Sequence, residues 1–542
     1  MKPKEAPVPD RPQPHPTGAM VIGTEPALGA GARVHVSDPR SGAVLEPVFR
    51  AASDEQIDRA CALADRAFPQ FRALSAERRA RFLERIADLL DERRDALVER
   101  AHTETALPLP RLTGEVGRTS GQLRLFASEL RAGTWQGARI DPGRTGDNPR
   151  ADIRQRRIAL GPVVVFGASN FPLAFSTAGG DTASALAAGC PVVVKAHPAH
   201  LGTAELVARA IADAAAATEM PEGVFSQLVG SGNEIGARLV SDPRIRAVGF
   251  TGSRAGGLAI AATAAARPVP IPVYAEMSSV NPVLLLPAAL AARGAALGAA
   301  FVESLTLGAG QFCTNPGLVF AVDGPGLGAF TAAAADAVAA NAGAVMLSDG
   351  IASHYADAGT ALAARDGVAE LARGARPDYA AAAGARLLLV DGARFIADPQ
   401  LQTEVFGATS LVVRCTDTSE LITAVRALEG QLTATVHADT ADHPLAATLL
   451  PLLEQRAGRI LFDGWPTGVQ VGHAMVHGGP FPATTDARST SVGTLAIERF
   501  LRPVAYQDVP AALLPAEVCD DNPLGVWRRV DGEVDRDTLS PG

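Results

Sequence analysis

The sequence predicts an α/β protein with three parts: a doubly wound parallel-sheet domain, a second α/β domain, and a small β arm. Four strand–helix units follow one another from Pro162 onward, which is the pattern of a parallel sheet covered by helices. A second region with its own strand and helix patterns begins after Asn281, and a polar, turn-rich passage precedes the first sheet.

Length and charge narrow the classes of function. The chain has 542 residues, enough for several structural units. Its net charge of −9 and its scattered Lys and Arg residues provide no basic surface for nucleic acid or for an anionic membrane. The alanine-rich run 287–301 contains Arg293, a proline and glycines, so we expect no membrane span. We therefore expect a small-molecule partner.

The five cysteines lie far apart, without CxxC pairs or Cys/His ligand spacing. This pattern predicts neither a disulfide framework nor a metal site. We interpret the chain as a reduced, cytoplasmic protein.

The chain before the first sheet is expected to be an extension followed by helices. Residues 1–17 are too rich in proline for a helix or a sheet, so we expect a disordered extension. Ser53 and Gln56 form a capping box that begins a helix, and apolar residues at three-to-four spacing from Phe82 predict a second one. The turn-rich passage 137–157 is interpreted as the first part of the arm.

The strand–helix region provides the predicted dinucleotide site. Its strands are PVVVFGA, CPVVVKA, VFSQLVG and IRAVGFTG, each followed by a helical pattern. We assign 18–136 and 158–285 to this domain and expect its ligand at the carboxyl ends of the strands. The familiar GxGxxG is absent, and the glycine-rich turn FTGSRAGG at 250–257 is a weak signal, because most such turns are tight connections.

The remainder of the chain is divided into three segments. Residues 286–475 are assigned to the catalytic domain. Residues 486–510 alternate into a strand that is expected to pair with 137–157 and complete the oligomerisation arm. Residues 511–542 are assigned to a C-terminal tail.

Four residues could carry chemistry, and each has an ordinary structural alternative. Cys313, in GAGQFCTNPG, is surrounded by small residues and backbone amides that suit a nucleophile, yet buried cysteines commonly fill cores. Asn170 follows a sheet strand and could donate to an oxyanion, or could be a turn residue or helix cap. Glu276 follows the last strand, where burial could raise its pKa for activating water. Glu404 could accept hydrogen bonds from a ribose; either glutamate alone would be interpreted as a solvated acid.

The combination and order of the motifs resemble the aldehyde dehydrogenase superfamily, over nearly the whole chain from about Met20. The matching segments are FGASNFPLAF, GCPVVVKAHPAH, FTGSRAGG, AEMSSVNP, GQFCTNPG, EVFGA and LRPV. The segments GQFCTNPG and HGGPFPATTDARSTSVG are most similar to the 2-oxoglutarate semialdehyde (2,5-dioxovalerate) dehydrogenase branch, which also resembles NADP-linked fatty aldehyde dehydrogenases.

The resemblance implies oxidation of an aldehyde to a carboxylic acid. Cys313 would attack the aldehyde, and Asn170 with the Cys313 backbone N–H would hold the thiohemiacetal oxyanion. Hydride would leave for a nicotinamide, and Glu276 would activate the water that hydrolyses the resulting thioester. A glutamate at this position favours hydrolysis over transfer to coenzyme A. The resemblance also implies a homodimer or homotetramer.

The cofactor residues implied by the resemblance lie in three motifs. Lys195 matches the lysine that holds the adenosine ribose, Gly252 and Ser253 match the pyrophosphate turn, and Glu404 and Phe406 match the nicotinamide side.

The cofactor preference follows from a departure from the NAD pattern. NAD-preferring members often carry a glutamate three residues after the lysine, where this chain has Pro198. Such a glutamate repels the 2′-phosphate of NADP, so its absence should allow a 2′-phosphate to bind. The nearby loop, however, offers Asn233 and no arginine to hold that phosphate. We expect NADP to be used, with NAD not excluded.

Substrate recognition is predicted on one face of a helix. Arg118 and Gln122 lie one turn apart, and the matched motifs indicate that this helix is near the substrate tunnel. An arginine there would suit the terminal carboxylate of a five-carbon semialdehyde acid, the alternative being a solvated arginine. Phe171 and Phe175 could wall the tunnel and His477 could line the pocket, although aromatics at that spacing are more often core.

Three other functions stay open. A fatty or general aldehyde dehydrogenase would need no partner for a carboxylate. A thiol hydrolase or acyltransferase could use a cysteine and a carboxylate, but would not explain four strand–helix units. A non-catalytic binding member of the fold would usually lack the cysteine or the base, and both are present.

Overall fold

The computed structural model describes residues 14–538. The helices are α1 Asp54–Arg72, α2 Ala76–Glu92, α3 Arg94–Thr105, α4 Leu109–Ala132, α5 Gly180–Ala188, α6 Leu201–Ala217, α7 Glu234–Ser241, α8 Arg254–Ala265, α9 Pro287–Thr306, α10 Pro325–Ala340, α11 Asp349–Ala363, α12 Gly392–Ala397, α13 Thr418–Arg426 and α14 His443–Glu454.

The strands alternate with these helices over most of the chain. They are β1 Ala19–Ile22, β2 Glu25–Leu28, β3 Arg33–Ser37, β4 Val44–Arg50, β5 Arg139–Asp141, β6 Ile153–Ala159, β7 Val163–Phe166, β8 Val192–Lys195, β9 Phe225–Leu228, β10 Ala247–Thr251, β11 Val273–Glu276, β12 Val283–Leu285, β13 Leu318–Val322, β14 Ala344–Val345, β15 Ala369–Arg373, β16 Ala382–Ala383, β17 Arg386–Asp391, β18 Thr409–Cys415, β19 Gln431–His437, β20 Ala457–Phe462, β21 Leu501–Gln507, β22 Arg528–Val530 and β23 Glu533–Asp535.

The first sheet has the order β11-β10-β7-β8-β9-β1-β2. Strands β7 to β11 are parallel, and β1 joins the sheet antiparallel to β9. The strand β7, VVVF, is buried throughout, as expected for a parallel strand covered by helices on both faces. The predicted strand–helix units and doubly wound sheet are confirmed.

The helices before this sheet begin as the sequence predicted. The Ser53 side chain accepts a hydrogen bond from Gln56 N, and Gln56 Oε1 accepts one from Ser53 N at 3.0 Å, which completes the capping box of α1. Phe82 and Leu83 of α2 are fully buried in the core.

The predicted disordered extension, 1–17, falls largely on residues 1–13, which lie outside the described residues. For Thr17 the expectation is wrong. Its backbone N–H and its hydroxyl donate to the buried carboxylate of Glu205 on α6 at 2.9 and 2.7 Å, and Gly18 N donates to the same group. These bonds hold the chain immediately before β1.

The second sheet has the order β15-β17-β18-β13-β12-β19-β20 and is parallel apart from β15. The strand Val283–Leu285, which we had assigned to the first domain, belongs to this sheet, between β13 and β19. The crossover occurs just before it, at Asn281, whose φ of 47° turns the chain between the sheets. The boundary at 285 is therefore too late.

The helical stretch Pro287–Gly310 is, by length and composition alone, long and apolar enough to cross a membrane, with a mean hydropathy of 1.3. It packs inside the second domain, where Gly298 allows α9 to approach α10 closely and Phe301 lies 5.5 Å from Phe330. Half of its most apolar window is buried in this way. Packing in the core of the second domain explains why this helix is so apolar.

The arm is a five-stranded sheet with the order β21-β6-β5-β22-β23. The predicted pairing is present: β21 runs antiparallel to β6, with Leu501 opposite Ala159 and Gln507 opposite Ile153. The tail at 511–542 contributes as well, because Arg529 and Val530 of β22 pair with β5.

The segment 486–500, which we had assigned to the arm, belongs elsewhere. Ser491 hydrogen-bonds to Glu276 at the end of the first sheet. The 3₁₀ turn Thr494–Phe500 lies against α5, where Arg499 and Asp181 form a buried ion pair at 2.7 Å. A buried pair of this kind fixes the segment against the first domain, because either charge alone would be costly to bury.

Candidate active site

The loop that carries Cys313 follows α9 and is shaped by three consecutive left-handed residues, Gly308, Ala309 and Gly310. Gly310 has φ +70°, and a Cβ there would lie 2.3 Å from the backbone nitrogen of Ala408. The loop is thus packed against the backbone of the second domain, with space for glycine only.

Asn281 fixes the position of the nucleophile candidate. Its Nδ2 donates to the carbonyls of Cys313 and Asn315, each at 2.9 Å, and its Oδ1 accepts from the hydroxyls of Ser279 and Thr433. The side chain is fully buried. One asparagine therefore binds the cysteine loop to the segment between the sheets and to β19.

The sulfur of Cys313 lies beside an imidazole and a carboxylate. Its Sγ is 3.4 Å from His477 Nε2, which in turn is 2.9 Å from Glu276 Oε1. Ser491 Oγ donates to Glu276 Oε2 at 2.6 Å. The ligating atoms of Cys313, His477 and Glu276 lie within 4.8 Å of one another, a set that could also hold a metal ion. Sequence spacing predicted no such cluster, because its members are far apart along the chain.

The pKa values of Glu276 and of the Cys313 thiol are shifted in opposite directions. Burial acts to raise the pKa of Glu276, but the His477 imidazole and the Ser491 hydroxyl outweigh it, and the pKa lies below its usual value. Our expectation of a raised pKa for Glu276 is wrong for this state, because these neighbours stabilise the carboxylate. Burial and then the Glu276 charge raise the pKa of Cys313. The free protein therefore holds a neutral thiol next to an ionised carboxylate.

Asn170 lies where an oxyanion could form. Its Nδ2 donates to the Gln311 carbonyl at 3.0 Å, two residues before the cysteine, which leaves its second amide hydrogen free for another acceptor. The backbone N–H of Cys313 has no acceptor among residues 14–538. Two donors are thus available beside the sulfur.

A cleft of about 780 Å³ gathers the predicted catalytic and cofactor residues. It lies at the carboxyl ends of the first-sheet strands, as expected for a doubly wound sheet. Its walls include Asn170, Lys195, Gly252, Ser253, Glu276, Cys313, Glu404 and Phe406.

Lys195 and the glycine-rich turn, the residues predicted to hold an adenosine half, line one end of the cleft. Burial lowers the pKa of Lys195 to about 8. Ser253 begins α8, and its hydroxyl accepts a hydrogen bond from Gly256 N. A Cβ on Gly252 would lie 2.7 Å from the Phe250 ring, so the turn is built for close packing.

Glu404 lies at the other end of the cleft. Its Oε1 accepts from Ser279 N at 3.3 Å, and burial raises its pKa to about 7. Near neutral pH the carboxyl group is therefore partly protonated, and it can donate a hydrogen bond to a hydroxyl or accept one from it.

The predicted substrate residues surround an aromatic wall. Phe171 and Phe175 lie 5.2 Å apart, and Phe175 is 6.1 Å from the His477 ring. The Arg118 guanidinium is 4.7 Å from the centre of the Phe175 ring, and its buried Nη2 has no partner among the described residues. Gln122 is buried one turn farther along α4, where its amide lies beside Gly180.

Sequence reasoning missed four residues that support the site. Asn281 and Ser491 occurred in recognised motifs, but nothing in a linear motif shows which groups their side chains bind. Arg111 donates to the Asn170 carbonyl at 2.7 Å, and Glu115 accepts from Leu173 N at 2.9 Å and from the next amide. Polar residues on the buried face of α4 were the available signal.

Comparisons with known proteins agree with this arrangement. The model of the "Aldehyde dehydrogenase family" matches residues 28–345. The chain is 56% identical over 522 residues to alpha-ketoglutaric semialdehyde dehydrogenase 2 of Azospirillum brasilense, covering 96% of this chain and 99% of that protein. It is 48% identical over 488 residues to alpha-ketoglutaric semialdehyde dehydrogenase of Acinetobacter baylyi, covering 90% and 92%.

Solved structures show the same fold. Aldehyde dehydrogenase C from Pseudomonas syringae, in complex with NAD⁺ and octanal, superposes with a TM-score of 0.77 at 22% identity, covering 92% of this chain and 98% of that one. The shared fold includes both α/β domains.

The reactivity of Cys313 should depend on pH in a direction set by its neighbours. Because its thiol pKa is raised, alkylation by iodoacetamide should be slow at neutral pH and should rise only in the alkaline range. Glu276→Gln removes a charge that raises this pKa, so the increase should begin at lower pH. Mass spectrometry of the Cys313 peptide measures the rate, and a fast, pH-independent reaction would contradict the assignment.

The cysteine loop should not tolerate a side chain at Gly310. Gly310→Ala introduces a Cβ against backbone at positive φ, so we expect at least about 2 kcal/mol of destabilisation and about a 100-fold loss of activity from displacement of the sulfur. Gly328→Ala, in α10 where a Cβ meets nothing within 4 Å, is the matched control. Equal effects of the two variants on melting temperature and turnover would refute this account.

Proposed function

This chain belongs to the aldehyde dehydrogenase family, and we propose from that premise that it oxidises 2-oxoglutarate semialdehyde to 2-oxoglutarate with a nicotinamide dinucleotide. The proposal rests on one observation above all: Cys313, Glu276 and His477 meet at the edge of the cleft, close to Arg118, whose Nη2 has no partner among the described residues. Relatives that are 56% and 48% identical over nearly their whole length act, by their names, on the same semialdehyde.

The cleft fits the cofactor that the family uses. Lys195 is a half-buried cation at one end, and the tightly packed turn at Gly252 allows a pyrophosphate to approach the backbone. Glu404 and Phe406 lie near Cys313 at the other end. When bound, the dinucleotide supplies a hydride acceptor. Lys195 and Ser253 would hold its adenosine half, and Glu404 with Phe406 its nicotinamide half.

The first task of the protein is to deprotonate the thiol. His477 Nε2 lies 2.9 Å from the Glu276 carboxylate and 3.4 Å from Sγ. Its N–H donates to that carboxylate in the free protein, so the thiol proton would pass to water and the N–H would then stabilise the thiolate. The thiolate then bonds to the carbonyl carbon of the aldehyde. The resulting oxyanion would accept hydrogen bonds from Cys313 N–H and Asn170 Nδ2, both located beside the sulfur.

The second task is to hydrolyse the thioester that remains on Cys313 after oxidation. Glu276 is ionised in the free protein and is held by Ser491. As a base it would take a proton from water, whose oxygen attacks the thioester carbon. The C–S bond then breaks, and Cys313 regains its proton as the carboxylic acid leaves.

Substrate selection would depend on Arg118. The residue is half-buried, its buried Nη2 has no partner among the described residues, and its guanidinium lies over the Phe175 ring. A guanidinium in this setting favours a carboxylate ligand, which satisfies its donors in a bidentate manner. A fatty aldehyde would leave this cation unpaired, and for that reason we favour the semialdehyde acid.

For the cofactor, we propose NADP with NAD not excluded. Pro198 stands where a glutamate would repel a 2′-phosphate, and it begins the short 3₁₀ turn before α6. Among the described residues that line the cleft, Lys195 is the one Lys or Arg. Its ammonium group can attract a 2′-phosphate but does not offer the two parallel N–H donors of an arginine. The preference for NADP over NAD is therefore expected to be moderate.

We further propose a homodimer or homotetramer that works in the cytoplasm. The seven-residue strand β21 is the outer strand of the arm sheet, and its free edge suits pairing with another subunit. All five cysteines are free, in keeping with a reducing compartment.

The increase in absorbance of reduced NADP or NAD measures the activity with 2-oxoglutarate semialdehyde as substrate. Cys313→Ala should lower turnover by at least about 1000-fold. Cys519→Ala, a cysteine of the arm region, is the control and should keep full turnover. Activity that survives in the Cys313 variant would place the nucleophile elsewhere and leave the thiol without a role.

Glu276→Gln should separate oxidation from hydrolysis. We expect a rapid burst of reduced cofactor that is stoichiometric with sites, and then a steady state slower by about 100-fold or more, because a general base contributes that much. Stopped-flow absorbance measures both phases. An unchanged steady-state rate would remove Glu276 from the mechanism.

Arg118→Ala should affect charged and uncharged substrates differently. The KM for 2-oxoglutarate semialdehyde should rise about 10- to 100-fold, the equivalent of one charge-assisted contact, while the KM for propanal should change little. Arg118→Lys should recover part of the loss, because it retains charge without the fork. Equal increases for both substrates would make Arg118 a structural residue.

A further inference from the structure

A second large cavity, of about 530 Å³, lies outside the catalytic cleft. It is enclosed by α2, the end of α4, the arm strand β6 and the C-terminal segment. Its wall includes five arginines and two glutamates: Arg72, Arg79, Arg131, Arg156, Arg157, Glu77 and Glu517. This excess of cations is the opposite of the protein's net charge of −9.

Three of the five arginines are neutralised by carboxylates. Arg131 pairs with Glu77 at 2.7 Å, Arg156 pairs with Glu517 at 2.7 Å, and Arg157 pairs with a glutamate outside the cavity. Both glutamates of the wall are therefore already engaged. They leave no carboxylate for the other two cations.

Arg79 is the unusual member of the group. It is only 5% exposed, yet its side chain makes no hydrogen bond or ion pair with any described residue, and its buried Nε has no partner. Its guanidinium lies 5.1 Å from the centre of the Trp135 ring. Burial lowers its pKa to about 10, as expected for a cation removed from water without a counter-charge.

The end of helix α5 stabilises the charge of Arg79 but provides no hydrogen bond to its guanidinium. Arg79 lies against Gly189, the residue that ends α5, and the carbonyl end of a helix favours a cation. The adjacent Gln136 is likewise buried, with an Oε1 that has no partner among residues 14–538.

We propose that this cavity binds a small organic oxyanion, carried as a phosphate or a carboxylate, with Arg79 as its main ligand and Arg72 as a second cation. A planar guanidinium offers two parallel N–H donors to such a group. Trp135, Leu130 and Val526 provide an apolar side of the same cavity, which suits a short carbon skeleton attached to the anion. The site is separate from the cleft that holds the dinucleotide.

Melting temperature of the full-length protein tests this proposal, with inorganic phosphate and malonate as probes and sodium chloride at equal ionic strength as reference. A ligand that binds only the folded state should raise the melting temperature in a saturable way, by about 3 °C near saturation. Response to phosphate, to malonate or to both supports the proposal and identifies the anion class. No response to either overturns it.

Arg79→Met gives the sharper test, because it removes an unpaired buried charge and retains a side chain of similar length. It should abolish the anion-dependent rise and should leave the melting temperature in chloride unchanged or higher. Arg81→Met, on the exposed side of the same helix, should keep the full anion response. A lower melting temperature in chloride with an undiminished anion response would show that Arg79 is a structural cation and overturn the proposal.

Arg72→Met provides an independent measure, since Arg72 is exposed and its loss should not impair folding. We expect the anion concentration at half-effect to rise about 10-fold. An unchanged concentration in this variant, together with a full response in Arg79→Met, would locate the anion elsewhere.

Discussion

The catalytic arrangement depends on the side chain of Asn281. This one fully buried amide binds the carbonyl on each side of the cysteine turn and receives hydroxyl hydrogen bonds from two further residues. It stands where the chain passes from one sheet to the other, in a left-handed conformation that asparagine tolerates better than most residues. The sulfur can face the first sheet only because this junction holds the loop of the second domain against it.

Around that junction, distant parts of the chain meet in a small volume. Glu276 comes from the end of β11, Cys313 from the loop after α9, and His477 with Ser491 from the segment that returns to the first sheet. The Glu276 backbone pairs with Thr484 of the same returning segment. A carboxylate buried at such a place needs partners. The serine and the histidine provide them, and so they determine which group near the sulfur is charged.

The sequence contained enough to predict the architecture and most of the cleft. Apolar runs such as VVVF and VVVK, separated by helical patterns, define a parallel sheet, and Asn170, Lys195 and Glu276 then converge because they follow its strands. The lowered pKa of Glu276 was not predictable, because the hydroxyl and imidazole that cause it lie about 200 residues away, at Ser491 and His477. For the same reason β12 and the C-terminal strands were misassigned: their partners are determined by tertiary pairing rather than by local pattern.

The strand order of the arm sheet means that the arm can be completed only after both large sheets have been synthesised. Strands β5 and β6 are synthesised long before their partners β22 and β21, which lie far along the chain. Both large sheets can form while those partners are still missing, whereas contacts of such sequence separation form slowly. A nascent chain therefore carries two unpaired strand edges on β5 and β6 until β21 and β22 have been made, and during that interval these edges are open to pairing with other strands.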